Sequence, residues 1–167
     1  MAGRTRMTSG LRLGGLIGAA TLLADQLLKV WVVFFFDLPA KGRVEVLPFF
    51  DLVMVWNRGI SYGLFQQDTF LGRAILVAVS VIACGFILFW LRSPMTKFQA
   101  VALGLILGGA AGNGIDRAVY GAVADFVLLY GFGFEWYVFN IADAAIVVGV
   151  ALILYGAVFR GDRTEAA

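Results

Sequence analysis

Four apolar stretches, each long enough to cross a lipid bilayer, constrain this sequence more than any other feature. A spanning helix needs roughly 20 apolar residues, and a backbone in hydrocarbon must satisfy its own hydrogen bonds. Of the 167 residues, 61% are hydrophobic and 14% charged. The sequence therefore predicts one integral membrane domain over residues 1–167. The predicted spans are about 13–36, 70–91, 98–119 and 140–159.

Basic residues indicate the orientation of the predicted bundle. The first stretch follows several arginines, as a secretory signal peptide would, but it is too long for one and no convincing cleavage site ends it. Because the number of spans is even, most Lys and Arg residues between and beyond the spans fall on one side, and that side is expected to be the cytoplasm. Both termini are then cytoplasmic. These residues are Arg4, Arg6, Arg12, Arg92, Lys97, Arg160 and Arg163.

Two absences narrow the chemistry available to this chain. The sequence has no histidine and one cysteine, so zinc sites and Ser-His-Asp or Cys-His pairs are excluded. The net charge of +2 is small, and the basic residues are spread singly along the chain. Both features argue against nucleic acid as a partner. We expect no metal and no cofactor, which leaves carboxylate, amide, Lys, Ser and Tyr side chains for catalysis.

The two predicted outer connections differ in composition. Residues 37–68 are punctuated by Pro and Gly and are rich in Val and Phe over 43–46 and 49–56, which predicts short strands. The connection over about 126–138 is aromatic and glycine-rich, with Trp136 and Tyr137 as interface anchors, and we expect a short interfacial helix or a flap there. The predicted fold is a membrane all-α bundle of four transmembrane helices with a small β-sheet and a short interfacial helix on its outer face.

Polar residues gather in the outer halves of the spans. At 1.5 Å per residue, span three surfaces outside near Arg117, Asp125 follows shortly after, and Asp143 lies about one turn below the same surface. Asp25 and Lys29 are late in span one and fall at a similar level. Ionisable groups at the edge of hydrocarbon cost several kcal/mol by order of magnitude, so they indicate a site.

Spacing on span three predicts both packing and contacts. Gly104, Gly108 and Gly112 repeat every four residues, as do Gly10, Gly14 and Gly18 near span one, a pattern that lets two helices approach closely. Asn113, Asp116 and Arg117 share one helical face. Asp116 could form a structural pair with Arg117, whereas Asn113 and Arg117 could present donors to a substrate backbone.

Asp25 and Lys29 stand at i and i+4 inside span one. A neutralising ion pair is the simpler interpretation, because either charge alone would be costly in a low dielectric. The alternative is a catalytic lysine acting with Ser61.

Asp125 and Asp143 have no basic residue within a helical turn, and their sequence neighbours are small or apolar. Two carboxylates brought together in such surroundings tend to share one proton, which is the state that an aspartic dyad needs to activate water. A proton or ion pathway is the second interpretation, and an assembly factor whose carboxylates only pair helices is the third.

Four blocks of residues resemble, in order and spacing, the motif blocks of the lipoprotein signal peptidase (signal peptidase II) family. The resemblance covers nearly the whole chain, although Ala124 stands where that family more often has a β-branched residue. The blocks are Asp25-Gln26 with Lys29; Asn57-Arg58-Gly59-Ile60-Ser61; Gly112-Asn113-Gly114-Ile115-Asp116-Arg117 followed by Gly121, Val123 and Asp125-Phe126; and Phe139-Asn140-Ile141-Ala142-Asp143.

The resemblance implies an aspartic endopeptidase of the bacterial cytoplasmic (inner) membrane. Such an enzyme removes signal peptides from prolipoproteins by cutting just before a diacylglyceryl-modified cysteine, and the cyclic peptide globomycin blocks it. The active site would lie at the outer interface, in contact with membrane lipids, and we expect a monomer. The catalytic pair would be Asp125 and Asp143; Asn57, Gly59, Asn113, Arg117 and Asn140 would bind substrate or orient the pair; Asp25, Lys29 and Asp116 would support the site.

Overall fold

The computed structural model describes residues 2–59 and 69–159, with side chains from residue 9 onwards. Its elements are, in chain order, helix α1 (Ala2–Val30) continued by a π-helical turn (Trp31–Phe35), helix α2 (Leu38–Lys41), strands β1 (Arg43–Leu47) and β2 (Phe50–Asn57), helices α3 (Phe70–Trp90) and α4 (Lys97–Tyr120), strands β3 (Val123–Gly131) and β4 (Phe134–Glu135), and helix α5 (Ile141–Phe159).

Within residues 2–59 and 69–159, four helices have the length and apolar composition needed to cross a membrane. The prediction of four spans is confirmed, and the observed bounds agree with the predicted ones to within a few residues. The helices are Ser9–Phe35, Phe70–Trp90, Lys97–Tyr120 and Ile141–Phe159.

Helix α4 lies at the centre of the bundle and packs against α1, α3 and α5. Glycine makes its contact with α1 possible. A Cβ atom at Gly104 would lie 2.6 Å from the Gly14 carbonyl oxygen, and one at Gly108 would lie 2.5 Å from the Gly18 carbonyl oxygen. The close approach predicted from the two glycine stripes is therefore confirmed.

The two ends of α4 are well defined. Thr96 and Gln99 form a capping box at its start, which satisfies backbone donors that the first turn leaves free. Gly121 ends the helix with a φ of 78°, a conformation that glycine adopts without steric cost. The chain can therefore turn directly into β3, which brings Asp125 close to the end of α4.

A four-stranded sheet in the order β1-β2-β3-β4 lies at the end of the bundle where α4 leads into β3. All neighbouring strands are antiparallel, and Asp125 on β3 is paired with Val55 on β2. β1 and β2 agree with the two strands predicted over 43–46 and 49–56. The sheet packs on the end of α1 through a buried cluster of Val32, Leu38 and Phe126. We call this end of the bundle the sheet end.

The second connection differs from the prediction. The expected interfacial helix over 126–138 is wrong, because most of this segment forms β3 and β4; the alternative, a flap, stays a prediction. β2 offers β3 a long edge to pair with, and a turn at Phe132 (φ 53°) and Gly133 (φ 77°) reverses the chain into β4. Among the residues the structure describes, the one short helix is α2, a single turn in the first connection.

The α1–α4 contact leads to a prediction about stability. We expect Gly108→Ala to lower the free energy of unfolding by about 1–3 kcal/mol, because the new methyl group meets the backbone of Gly18, which cannot move aside cheaply. The measurement is denaturant unfolding of the purified protein in detergent micelles. Gly15→Ala is the matched control, since a Cβ there meets nothing within 4 Å. Equal stability of the two variants would contradict the prediction.

Candidate active site

Buried polar side chains collect at the sheet end of the bundle, where α1, α4, β3 and the start of α5 meet. Most of them are almost inaccessible to solvent, and Asp143 is partly buried beside them. Ionisable groups are retained in such places only when they are paired or functional. The buried members are Asp25, Lys29, Asn113, Asp116, Asp125 and Asn140.

Asn140 and Asp143 cap the start of α5 reciprocally. The Asp143 N–H donates to Asn140 Oδ1 at 2.9 Å, and the Asn140 N–H donates to Asp143 Oδ2 at 3.2 Å. This is a capping box with Asn and Asp in place of the usual Ser and Glu. The first turn of α5 therefore fixes the Asp143 side chain.

Amide side chains link Asp143 to Asp125. Asn140 Nδ2 donates to Asp125 Oδ1 at 2.6 Å and to Asn113 Oδ1 at 3.2 Å. Asn113 Nδ2 in turn donates to Asp143 Oδ1 at 2.7 Å. On its other oxygen, Asp125 accepts from Asn57 Nδ2 at 3.0 Å. The two aspartates, distant in sequence, are thus held by one network.

Asp125 and Asp143 line the same cavity of about 290 Å³. Asn113 and Arg117 of α4 lie at its base. Its apolar walls come from α3 and α5, two helices that both pack against α4. The cavity therefore combines a polar end with a hydrocarbon-like cleft between α3 and α5. The wall residues are Leu76, Val79, Ala83, Ile146 and Val147.

The environment of Asp125 favours its protonated form. Burial, followed by the negative charge of Asp143, raises the pKa of the Asp125 carboxyl from its ordinary 3.8 to about 7, although hydrogen bonds from Asn57 and Asn140 oppose the shift. Near neutral pH, Asp125 can therefore carry a proton and act as an acid.

A buried ionic cluster lies behind these two aspartates. Lys29 Nζ is 2.9 Å from Asp25 Oδ2, 2.8 Å from Asp116 Oδ2, and donates to Asn113 Oδ1 at 3.2 Å. The predicted Asp25–Lys29 pair is confirmed. The alternative pair of Asp116 with Arg117 does not form, because successive residues on a helix point in different directions.

Each carboxylate of this cluster holds the backbone just before one of the two aspartates. Asp116 Oδ2 accepts from the Ala124 N–H at 3.2 Å, and Asp25 Oδ1 accepts from the Ala142 N–H at 3.0 Å. Gln26 Nε2 bridges the pair, at 3.1 Å from Asp25 and 2.9 Å from Asp116. The cluster thus fixes β3 and α5 relative to each other at the positions that carry Asp125 and Asp143.

Arg117 ties the end of β2 to the same site. Its Nη2 donates to the Gly59 carbonyl at 2.8 Å, and the Gly59 N–H donates to Asn57 Oδ1 at 3.0 Å. The Nε atom of Arg117 is buried, and no acceptor in ranges 2–59 and 69–159 bonds to it. Arg117 itself lines the cavity, so its positive charge lies beside any molecule bound there.

All ten residues singled out from the sequence lie in or beside this site, but their contacts were not all foreseen. Asn113 uses its amide on Asp143, Lys29 and Asn140, and it also lines the cavity. Gln26 was not given a role, although it follows Asp25 in the motif. Tyr137, expected at the membrane interface, lines the cavity. Ser61 lies outside the described residues.

The described residues offer no obvious metal site. No group of three or more His, Cys, Asp or Glu side chains there is arranged to hold an ion. The amide bonds to both aspartates and the Asp125 pKa instead suit a pair of carboxyl groups that exchange a proton with water or substrate.

The sequence is similar to those of known proteins. A family model described as signal peptidase (SPase) II matches residues 17–159. The lipoprotein signal peptidase of Nitrobacter hamburgensis is 48% identical over 160 residues, covering 93% of this chain and 98% of the relative. That of Methylorubrum extorquens is 54% identical over 147 residues, covering 88% and 86%.

Solved structures agree with the sequence comparisons. A bacterial membrane enzyme determined by the in meso method at 2.3 Å resolution matches with a TM-score of 0.79 and 25% identity, over 92% of each chain. A second, at 1.9 Å resolution, matches with a TM-score of 0.73 and 27% identity, over 87% of this chain and 92% of the other. The fold is thus that of an integral membrane enzyme, and the chain belongs to the signal peptidase II family.

Proposed function

We propose that this protein is a membrane aspartic endopeptidase that removes signal peptides from diacylglyceryl-modified prolipoproteins, cutting on the N-terminal side of the lipidated cysteine. Membership of the signal peptidase II family supports cleavage of lipoprotein signal peptides. The observation that carries the aspartic mechanism is the pair Asp125 and Asp143, which line one cavity and are joined through Asn140 and Asn113.

In this mechanism the two carboxyl groups share the work of general acid and general base. Asp143, at the start of α5 where the helix dipole favours an anion, takes a proton from a water molecule. Asp125, with its pKa near 7, donates a hydrogen bond and then a proton to the scissile carbonyl oxygen. The hydroxide adds to the carbonyl carbon. As the tetrahedral intermediate collapses, Asp143 passes its proton to the leaving amine and Asp125 recovers a proton from the intermediate's hydroxyl group, which restores the starting state.

Arg117 and Asn57 have different parts in this scheme. Arg117, which lines the cavity, holds a backbone carbonyl of the substrate, and it also fixes the end of β2 through Gly59. Asn57 orients Asp125. Asp25, Lys29 and Asp116 act through the backbone at Ala124 and Ala142 rather than by contact with the substrate.

The shape of the cavity supports a membrane-embedded substrate. Its polar end is near the sheet, and its apolar walls on α3 and α5 continue toward the hydrocarbon. A signal peptide helix and acyl chains can remain in the bilayer while the scissile bond reaches the dyad. With Arg92 and Lys97 at the opposite end of the bundle, the positive-inside rule favours a site on the outer face of the inner membrane.

The alternative functions have less support. A proton or ion pathway needs polar groups through the full depth of the bilayer. Within residues 9–59 and 69–159, however, the buried polar side chains lie at the sheet end. A Ser-Lys mechanism needs a neutral lysine, but Lys29 is buried between two carboxylates at 2.8 and 2.9 Å. A purely structural role does not explain why both aspartates line one cavity or why the Asp125 pKa is raised.

Cleavage of a diacylglyceryl-modified prolipoprotein by the purified protein tests the dyad. We expect Asp125→Asn and Asp143→Asn each to lower kcat by roughly 10²–10⁴-fold, because each change removes one proton-transfer group. Asp51→Asn is the matched control, since Asp51 is a buried carboxylate on the outer sheet that bonds Arg43 and Tyr130 instead. Ser61→Ala should retain activity, and globomycin should inhibit the unaltered enzyme.

Two results would contradict the dyad. If either Asn variant still cleaves the substrate, the aspartic dyad is ruled out. If Ser61→Ala is inactive while Asp143→Asn remains active, a serine nucleophile is favoured.

The Asp125 pKa leads to a pH prediction. As the pH rises through about 7, Asp125 loses the proton it must donate, so kcat/KM should fall on the alkaline side with an apparent pKa that belongs to the pair. Asn57→Ala removes a hydrogen bond that stabilises the carboxylate, so the alkaline limb should move to higher pH by roughly one unit. Asp51→Asn should leave the limb in place. A limb unmoved by Asn57→Ala, or moved to lower pH, would refute the assignment.

A further inference from the structure

A second cavity lies on the α3–α4 face and extends beyond the catalytic residues. It has a volume of about 490 Å³, and its lining is almost wholly apolar or small. We call it the α3–α4 groove. It is lined by Val77, Ser80, Val81, Cys84, Gly85, Leu88, Ala111, Gly114, Ile115 and Ala118.

The groove has the length of one lipid leaflet. On α3 its lining extends from Val77 to Leu88, which corresponds to a helical rise of roughly 16 Å. The hydrocarbon core of a bilayer is about 30 Å thick, so each leaflet contributes about half of that. Ala118 is close to the end of α4 at Tyr120, so the groove starts at the sheet end and runs toward mid-membrane.

A guanidinium group stands at the sheet end of the groove. Arg73 lies one helical turn before Val77, and its Nη2 donates to the carbonyl oxygen of Ala118, which lines the groove. An arginine has five N–H donors, and no carboxylate within residues 9–59 and 69–159 forms an ion pair with Arg73. Among the described residues, a guanidinium without an ion pair therefore lies about one helical turn from the apolar lining, at the sheet end.

We propose that the α3–α4 groove binds a glycerophospholipid of the surrounding bilayer, with its phosphate on Arg73 and one acyl chain along the groove. Charge complementarity and length together select this occupant. A transmembrane helix of a partner or a second copy would cover the groove without offering an anion to Arg73. A diacylglycerol would fill the channel but has no phosphate.

Such a lipid would contact the back of the catalytic cavity wall. Ser80 lines both the groove and the catalytic cavity, and a Cβ at Gly114 would be 2.9 Å from Ser80 Cβ, so α3 and α4 touch between the two. The bound acyl chain packs on one side of α3 while the substrate cleft lies on the other. Phospholipid occupancy thus supports the position of α3 as a wall of the substrate cleft.

Native mass spectrometry of the full-length protein in detergent tests this site, with phosphatidylglycerol and diacylglycerol of matched chains as probes. Gly85→Leu should displace both lipids, because a Cβ there points into open space and the longer side chain fills the groove without a clash. Arg73→Gln should weaken phosphatidylglycerol retention roughly tenfold, the effect of losing a charge-assisted phosphate contact, and leave diacylglycerol unchanged. Gly15→Leu and Arg92→Gln are the matched controls.

The native cysteine gives a second measurement in the same protein. Cys84 lines the groove and is the one cysteine of the chain, so added phosphatidylglycerol should slow its labelling by a lipid-soluble maleimide. This protection should be reduced in Arg73→Gln. Three results would each overturn the proposal. Gly85→Leu and Gly15→Leu could retain lipid equally, or phosphatidylglycerol could leave Cys84 labelling unaffected. Gly85→Leu could also change the oligomeric state without losing lipid.

Discussion

The buried cluster of Lys29 with Asp25 and Asp116 is the interaction on which the site depends. Two carboxylates and one ammonium are held with almost no access to solvent, so removal of Lys29 would leave two carboxylates without a counter-charge in a low dielectric. The same carboxylates reach the backbone at Ala124 and Ala142. An electrostatic requirement within the bundle therefore also fixes the chain on either side of the cavity.

The two catalytic candidates are carried by elements of different kind. Asp125 is on a strand whose place depends on pairing with β2, whereas Asp143 is in the first turn of a membrane helix. Asparagine side chains connect the two, and Asn140 contributes to the α5 cap and to Asp125 at once. Amides suit this role because they donate and accept without adding charge to a site that already has several.

Much of the architecture could be predicted from residue patterns. The span lengths, the glycine stripes and the i, i+4 pair of Asp25 and Lys29 are local signals, and the structure bears them out. β3 was not predicted as a strand, because Val123 to Phe126 are all buried and show no alternation of polar and apolar residues. The Asn140–Asp143 cap could have been found, since Asn three residues before Asp at the head of an apolar run is a helix-start signal.

Other contacts had no local signal. Asp116 pairs with Lys29, which is on another helix, and sequence spacing does not reveal which residues of two helices are in contact. The pairing of Asn57 with Asp125 depends on strand register, which is set by tertiary packing. The candidate residues were thus recognisable by type and depth, while their roles required the three-dimensional arrangement.

The pairing of β2 with β3 has a consequence for biogenesis. These strands are separated in the chain by two membrane helices, α3 and α4, so the contact closes a long loop and its entropy cost must be met before Asp125 is held. A nascent chain that has inserted only its first helices has not yet brought Asp125 and Asp143 together. Assembly of the cavity that these two residues line is thereby deferred until the last membrane helix has been made.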